Sequence, residues 1–189
     1  GGGGQYQARD IKELTESEEY EILENAANGF YADRSFIPIR RSTPAILISE
    51  VARHTNNERI IPNLPLVSEV KHVRQTMDEA EGTYNPKHKP HGMNIYDMLE
   101  LIKGMDNPSY IVYQGDNGRY VEVVRIRTQK GASPIWTVVD FGRNVETDIL
   151  NGYDGGMFNI IVTSFSPEDF KSYISKEGNI VIYDKAKDA

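Results

Sequence analysis

Along the first hundred residues apolar positions recur every three or four, and from Ser109 onward they recur every two. The first half therefore predicts amphipathic helices and the second half partly buried strands. Thr15-x-x-Glu18 has the form of a capping box, and Tyr20, Leu23 and Ala27 follow at helical spacing up to Gly29, predicting a helix over 16–28. Its other side carries Glu16, Glu18, Glu19, Glu21 and Glu24, most simply a solvated acidic face. Phe36 to Arg41 reads as extended, because Pro38 cannot sit inside a helix. Thr43 as N-cap with Pro44 at the first helical position opens a second helix that buries Leu47, Ile48, Val51 and Ala52. Residues 54–67, broken by Pro62 and Pro65, read as a loop. A third helix starts at Ser68, with Val70, Val73, Met77 and Ala80 in one stripe and His72 roughly 120° away from it, toward solvent or a groove.

Asn94 with Asp97 marks the N-terminus of a fourth helix, whose apolar face is Ile95, Met98, Leu99 and Ile102, and Gly104 with Pro108 beyond it marks the end. Tyr110–Gln114 and Arg119–Thr128, joined by Gly115-Asp116-Asn117-Gly118, predict a hairpin. Further strands are expected at Ile135–Phe141 and Met157–Ser164. Ser166-Pro167-Glu168-Asp169 opens a helix to Glu177, followed by a last strand at Asn179–Tyr183. The connections are of turn length, so the fold expected is α+β, with N-terminal helices packed on a four- to five-stranded antiparallel sheet.

At 189 residues the chain suits one domain of ordinary size. The division expected is a first segment, 1–35, holding a glycine run that reads as a tag remnant and the acidic helix, then a single domain over 36–189. With 39% apolar and 26% charged residues the composition is that of a globular protein, and no apolar run approaches the roughly 18 residues of a membrane span. The absence of cysteine excludes disulfides, thiolate metal sites and thiol nucleophiles. The net charge of −7 divides unevenly: residues 1–84 hold 9 basic and 14 acidic residues (−5), and residues 85–189 hold 12 and 14 (−2). A general positive field for nucleic acid is thereby excluded, and any phosphate-facing site has to be local.

The densest such site is the loop before the fourth helix, where His88 and His91 lie among Lys87, Lys89 and Pro90. A helix N-terminus with free N–H groups favours an anion, although a polar loop of this kind is most simply a solvated connection. Arg125 and Arg127 end one face of their strand, either free for an anion or paired with carboxylates across the sheet. His54 reads as a surface residue. No P-loop, nucleophile elbow or zinc-protease signature is present, and four scattered histidines without cysteine argue against a protein-held transition metal. A carboxylate-bound magnesium or calcium stays open.

In order along the chain, Ile37-Pro38-Ile39-Arg40 with Thr43-Pro44, Pro65-Leu66, Lys71-His72-Val73, His91-Gly92, Asp106-Asn107-Pro108 and Val162-Thr163-Ser164 form a series from Phe36 to Tyr183. The series resembles the C-terminal domain of phage MuF proteins and mobile-element polyvalent proteins, in the barnase–EndoU–colicin–RelE class of RNase-like folds. One departure is visible: Phe165-Ser166-Pro167 stands where relatives carry Tyr-Gly and a charged helix start. The resemblance implies a barnase- or RelE-like fold and metal-independent RNA cleavage with no cofactor. It implies His72 and His91 as the acid/base pair, in either assignment, Arg125 or Arg127 on the transition state, and Thr163 and Ser164 on phosphate oxygens. Lys87, Lys89 and Arg127 would bind substrate. Expected partners are RNA, structured or transfer RNA included, and an immunity or inhibitor protein. The expected location is the cytoplasm, or a target cell reached as part of a larger phage or toxin polypeptide. Two other classes are a catalytically inactive binding module of the same fold and an ADP-ribosyltransferase-like enzyme, the latter from Thr163-Ser164 with Glu168 nearby.

Overall fold

The computed structural model describes residues 15–81, 93–128, 131–145 and 156–188, and the side chains of these except 76–81. Helix α1 (Glu16–Ala27) is capped by Thr15, whose hydroxyl accepts from the Glu18 amide at 3.3 Å. Strand β1 (Phe36–Arg40) follows, then α2 (Ala45–His54), strand β2 (Leu66–Glu69), α3 (Val70–Glu81) and α4 (Ile95–Gly104). The second half is β3 (Tyr110–Gln114), β4 (Arg119–Thr128), β5 (Gly131–Asn144), β6 (Met157–Phe165), α5 (Phe170–Ile174) and β7 (Asn179–Asp184).

All seven strands join one sheet in the order β1-β2-β6-β5-β4-β3-β7. The fold is α+β as expected, but the sheet is mixed and larger than the four or five antiparallel strands read from the sequence. β2 pairs parallel with β6, Val67 opposite Ile160, while the other pairs are antiparallel. The physical reason is that Leu66–Glu69 runs without a break into α3, so its strand character shows only once β6 supplies a partner from far along the chain. Residues 66–69 thus leave the predicted loop and helix start. Two smaller corrections concern caps. Pro44 itself holds the N-cap position of α2, and Thr43 instead donates its hydroxyl to the Leu64 carbonyl at 2.6 Å. Gly104 is the last residue of α4, and its value is space: a Cβ there would lie 2.6 Å from Val124 Cγ1.

The helices divide the buried residues into two layers. On one side of the sheet Leu23, Leu47, Val73, Met98 and Leu101 from α1–α4 pack with Ile39, Tyr120, Val124 and Ile161. On the other side Val112, Val121, Val123, Trp136 and Val138 form a smaller cluster, against which Phe170 and Ile174 of α5 pack. The middle of β4 is buried on both faces, which explains why its residues 120–124 are apolar except for Glu122. α1 contributes Ile22, Leu23 and Ala26 to the same large core as the rest of the chain.

Candidate functional site

The helix-side pocket that collects the most chemistry lies where α3 leaves β2. β6 reaches it through a β-bulge: Val138 faces Thr163 and Val139 faces Ile161, leaving Val162 as the extra residue. Without the bulge, Ile161 and Ser164, three positions apart, would point to opposite sides of the sheet. With it, Ile161 lies beside Val139 in the helix-side core, and Ser164 lies opposite Thr137, which in turn faces Glu122. His72, two residues into α3, then meets Ser68, Thr163 and Ser164 around one pocket, with Ile39, Val73, Met98 and Ile161 as its apolar lining. Its free volume is about 10 Å³, roughly room for one water. Ser68 is fixed in the floor by donating its hydroxyl to the Ile161 carbonyl at 3.2 Å.

From this pocket a row of polar side chains runs under the helices at one level of the sheet, Ser164 on β6, Thr137 on β5 and Glu122 on β4. Glu122 and Thr137 are fully buried, and Ser164 is 7% exposed. Neither carboxylate oxygen of Glu122 has a hydrogen-bond partner among the described residues, nor has the Thr137 hydroxyl. Burial pushes the Glu122 carboxyl well above the ordinary carboxylate range. The Arg40 guanidinium pulls the other way, and Asp106 adds to the rise. Arg40 is itself bound to Asp106 at 2.7 Å and to the Ile102 carbonyl at 3.2 Å, which neutralises much of its pull. Alternation along β4 already puts Glu122 on the side of Tyr120, Val124 and Ile126, and a single carboxyl on an otherwise apolar face was the available sign of it.

Arg125 and Arg127 stand elsewhere. Both are exposed and alternate with Val124 and Ile126, so they emerge on the α5 side of the sheet, away from His72. Their cross-strand neighbours on β5 are Pro134 and Ala132, so of the two alternatives read from the sequence, pairing with a carboxylate directly opposite on that strand is removed. His91, Lys87 and Lys89 lie outside the described residues, so His72, Thr163 and Ser164 are the members of the expected set that the structure brings together.

A second cluster was not foreseen. His54, the last residue of α2, has its Nδ1 2.9 Å from the Tyr120 hydroxyl. Its ring lies 4.9 Å from that of Tyr113, and the rings of Tyr113 and Phe141 lie 5.1 and 6.1 Å from that of Tyr120. Burial raises the Tyr120 hydroxyl above its ordinary range, against the pull of the Arg59 charge. Among the described residues no cluster of three or more His, Asp or Glu side chains is placed to hold a metal ion, and no helix is long and apolar enough to cross a membrane. Comparison with family models, curated proteins and solved structures returned no match to this chain.

Proposed function

We propose that the protein is a metal-independent RNA-cleaving effector domain, acting at the pocket of His72, Thr163 and Ser164. The observation that carries this reading is the meeting of an imidazole with two hydroxyl-bearing residues from the far end of the chain, at a bulge that aims Ser164 toward the helices. An imidazole titrates near neutrality without special tuning, which suits it to take a proton from a ribose 2′-hydroxyl. In the proposed step the 2′-oxygen bonds to the adjacent phosphorus, the bond from phosphorus to the 5′-oxygen breaks, and the leaving oxygen takes a proton from the second acid/base group. His91 is assigned that second role from the sequence resemblance. The hydroxyl of Ser164 is assigned to a non-bridging phosphate oxygen, whose charge grows in the transition state, while Thr163, opposite Val138 of the α5-side cluster, lines the pocket next to it along β6. A free volume of about 10 Å³ admits a phosphate oxygen and not a base, so RNA meets the pocket at its rim.

With net charge −7 and with Arg125 and Arg127 facing away from His72, recognition by local shape suits this protein better than capture by a diffuse field. Those two features also favour a second reading, a binding module of the same architecture that recognises a protein such as an inhibitor. Cleavage of total and transfer RNA in EDTA separates the two. Wild type should cut, and His72→Ala should lose about a hundred- to ten-thousandfold in rate while melting as wild type does. Intact RNA with wild type would reject the nuclease reading.

A further inference from the structure

The His54 cluster lies on β3–β5 under the C-terminal end of α2, apart from the His72 pocket on β2 and β6 under α3. Its outermost member is Arg59, an exposed residue whose guanidinium carbon sits 5.5 Å from the Phe141 ring centre and 5.9 Å from that of Tyr120. The chain takes an unusual path to put it there. Asn56 and Asn57 are both left-handed, at φ 52° and 64°, a conformation that two consecutive non-glycine residues seldom share. Thr55 holds the turn shut: its hydroxyl donates toward the Val51 carbonyl at 3.1 Å and accepts from the Arg59 amide at 3.1 Å.

Local strain and a stapled turn thus present one cation over an aromatic floor. Nothing within the described residues uses that cation further, because the Arg59 side chain has neither an ion pair nor a hydrogen bond there, while Arg53 beside His54 and Arg143 on the strand of Phe141 are paired with Glu50 and Asp140. Of the two His54 nitrogens only Nδ1 is engaged among the described residues. Tyr113 is half-buried, with its ring packed beside those of His54 and Tyr120. A planar fork of N–H donors, a free imidazole nitrogen and a half-buried aromatic ring beside them together match a ligand with one phosphate and one flat base.

We infer that the surface of His54, Arg59 and Tyr113 is a nucleotide-binding site. The outward edge of Arg59 takes the phosphate and the Tyr113 ring takes the base. The same chemistry is offered by a free nucleoside monophosphate and by one nucleotide of a single strand. The site does not depend on RNA cleavage, since a mononucleotide has no scissile link of the kind proposed above.

Isothermal titration of the full chain with AMP, UMP, inorganic phosphate and a 2′-deoxy tetranucleotide tests it, using wild type, Arg59→Met, Arg59→Lys and Tyr113→Leu, with a thermal melt of each. Wild type should bind AMP more tightly than inorganic phosphate, and both Arg59 variants should weaken AMP, Lys included because it lacks the planar fork. Tyr113→Leu should weaken AMP by about fivefold to 150-fold, the range of one base–aromatic stack, and leave phosphate unchanged. Tighter binding of the tetranucleotide than of AMP identifies a strand as the ligand, and equal binding identifies the free nucleotide. The inference is overturned by AMP binding no tighter than phosphate, by Arg59 and Tyr113 variants that melt normally and bind as wild type, or by no binding of any probe at millimolar concentration.

Discussion

Replacing Glu122 by Gln should change how stability depends on pH, and the direction follows from burial. In the native chain the carboxyl is fully buried without a hydrogen-bond partner among the described residues, and burial raises its pKa well above the ordinary value. The unfolded chain exposes the same group, which ionises near its reference pKa of about 4.3. A group whose pKa is raised on folding contributes stability that is fully present below the unfolded pKa and is lost as pH rises through the folded one. Between those two limits the native state holds one proton more than the unfolded state, so stability falls by about 1.4 kcal/mol per pH unit on this account alone. Gln keeps the size and removes the proton. The two proteins should therefore be similar near pH 4, and the variant should gain on wild type by about 1.4 kcal/mol for each pH unit inside that window. For a chain of this length each kcal/mol is about 2–4 °C in Tm. Urea titrations at half-unit steps from pH 4 to 8, read as the difference between the two proteins, cancel the other carboxylates. A difference that does not change with pH, or a variant that loses ground as pH rises, would refute the assignment of Glu122 as a neutral buried acid.

Other expected outcomes concern packing and caps. Asn159 is fully buried and donates to the Thr43 hydroxyl at 2.7 Å and the Pro62 carbonyl at 3.2 Å while accepting from the Gly142 amide at 2.9 Å, so Asn159→Ala should lose about 2–4 kcal/mol in urea unfolding. Gly104→Ala should lose about 1–3 kcal/mol because its Cβ would meet Val124 Cγ1, and Val124→Ala in the same chain should recover part of that loss, a coupling read by a double-mutant cycle. Asn94 accepts from the Asp97 amide at 2.9 Å and the Asp97 carboxylate accepts from the Asn94 amide at 3.3 Å, so Asn94→Ala should lower stability by about 1 kcal/mol with no change in the pH dependence described for Glu122.

What the sequence disclosed and what it hid divide by range of interaction. α1 and α4 were legible because Thr15 and Asn94 cap them with groups three residues away, and the β3–β4 hairpin because Gly118 takes φ 69° in its turn. β1 and β2 were not legible as sheet members, since each is short, one contains Pro38 and the other merges into a helix. Only the pairing of β2 with β6 across most of the chain, and of β1 with β2, makes them strands. The candidate site follows the same division. His72 off the apolar stripe of α3 could be read locally, but its meeting with Ser164 requires both the parallel β2–β6 pair and the bulge at Val162. His54 gave no signal because its partners, Tyr113 and Tyr120, come from two strands far from it in the chain.

The central claim, transesterification by a ribose 2′-hydroxyl at the His72 pocket, is tested most directly by the products. A short RNA of defined sequence and the same RNA with a single 2′-deoxy substitution at the cut position are incubated with wild type and His72→Ala in EDTA, and the ends are read by mass spectrometry. Wild type should yield a 2′,3′-cyclic phosphate and a 5′-hydroxyl, and both the 2′-deoxy substrate and the His72→Ala protein should give essentially no cut. Cutting of the 2′-deoxy substrate, or cutting by His72→Ala at the wild-type rate, would contradict the claim.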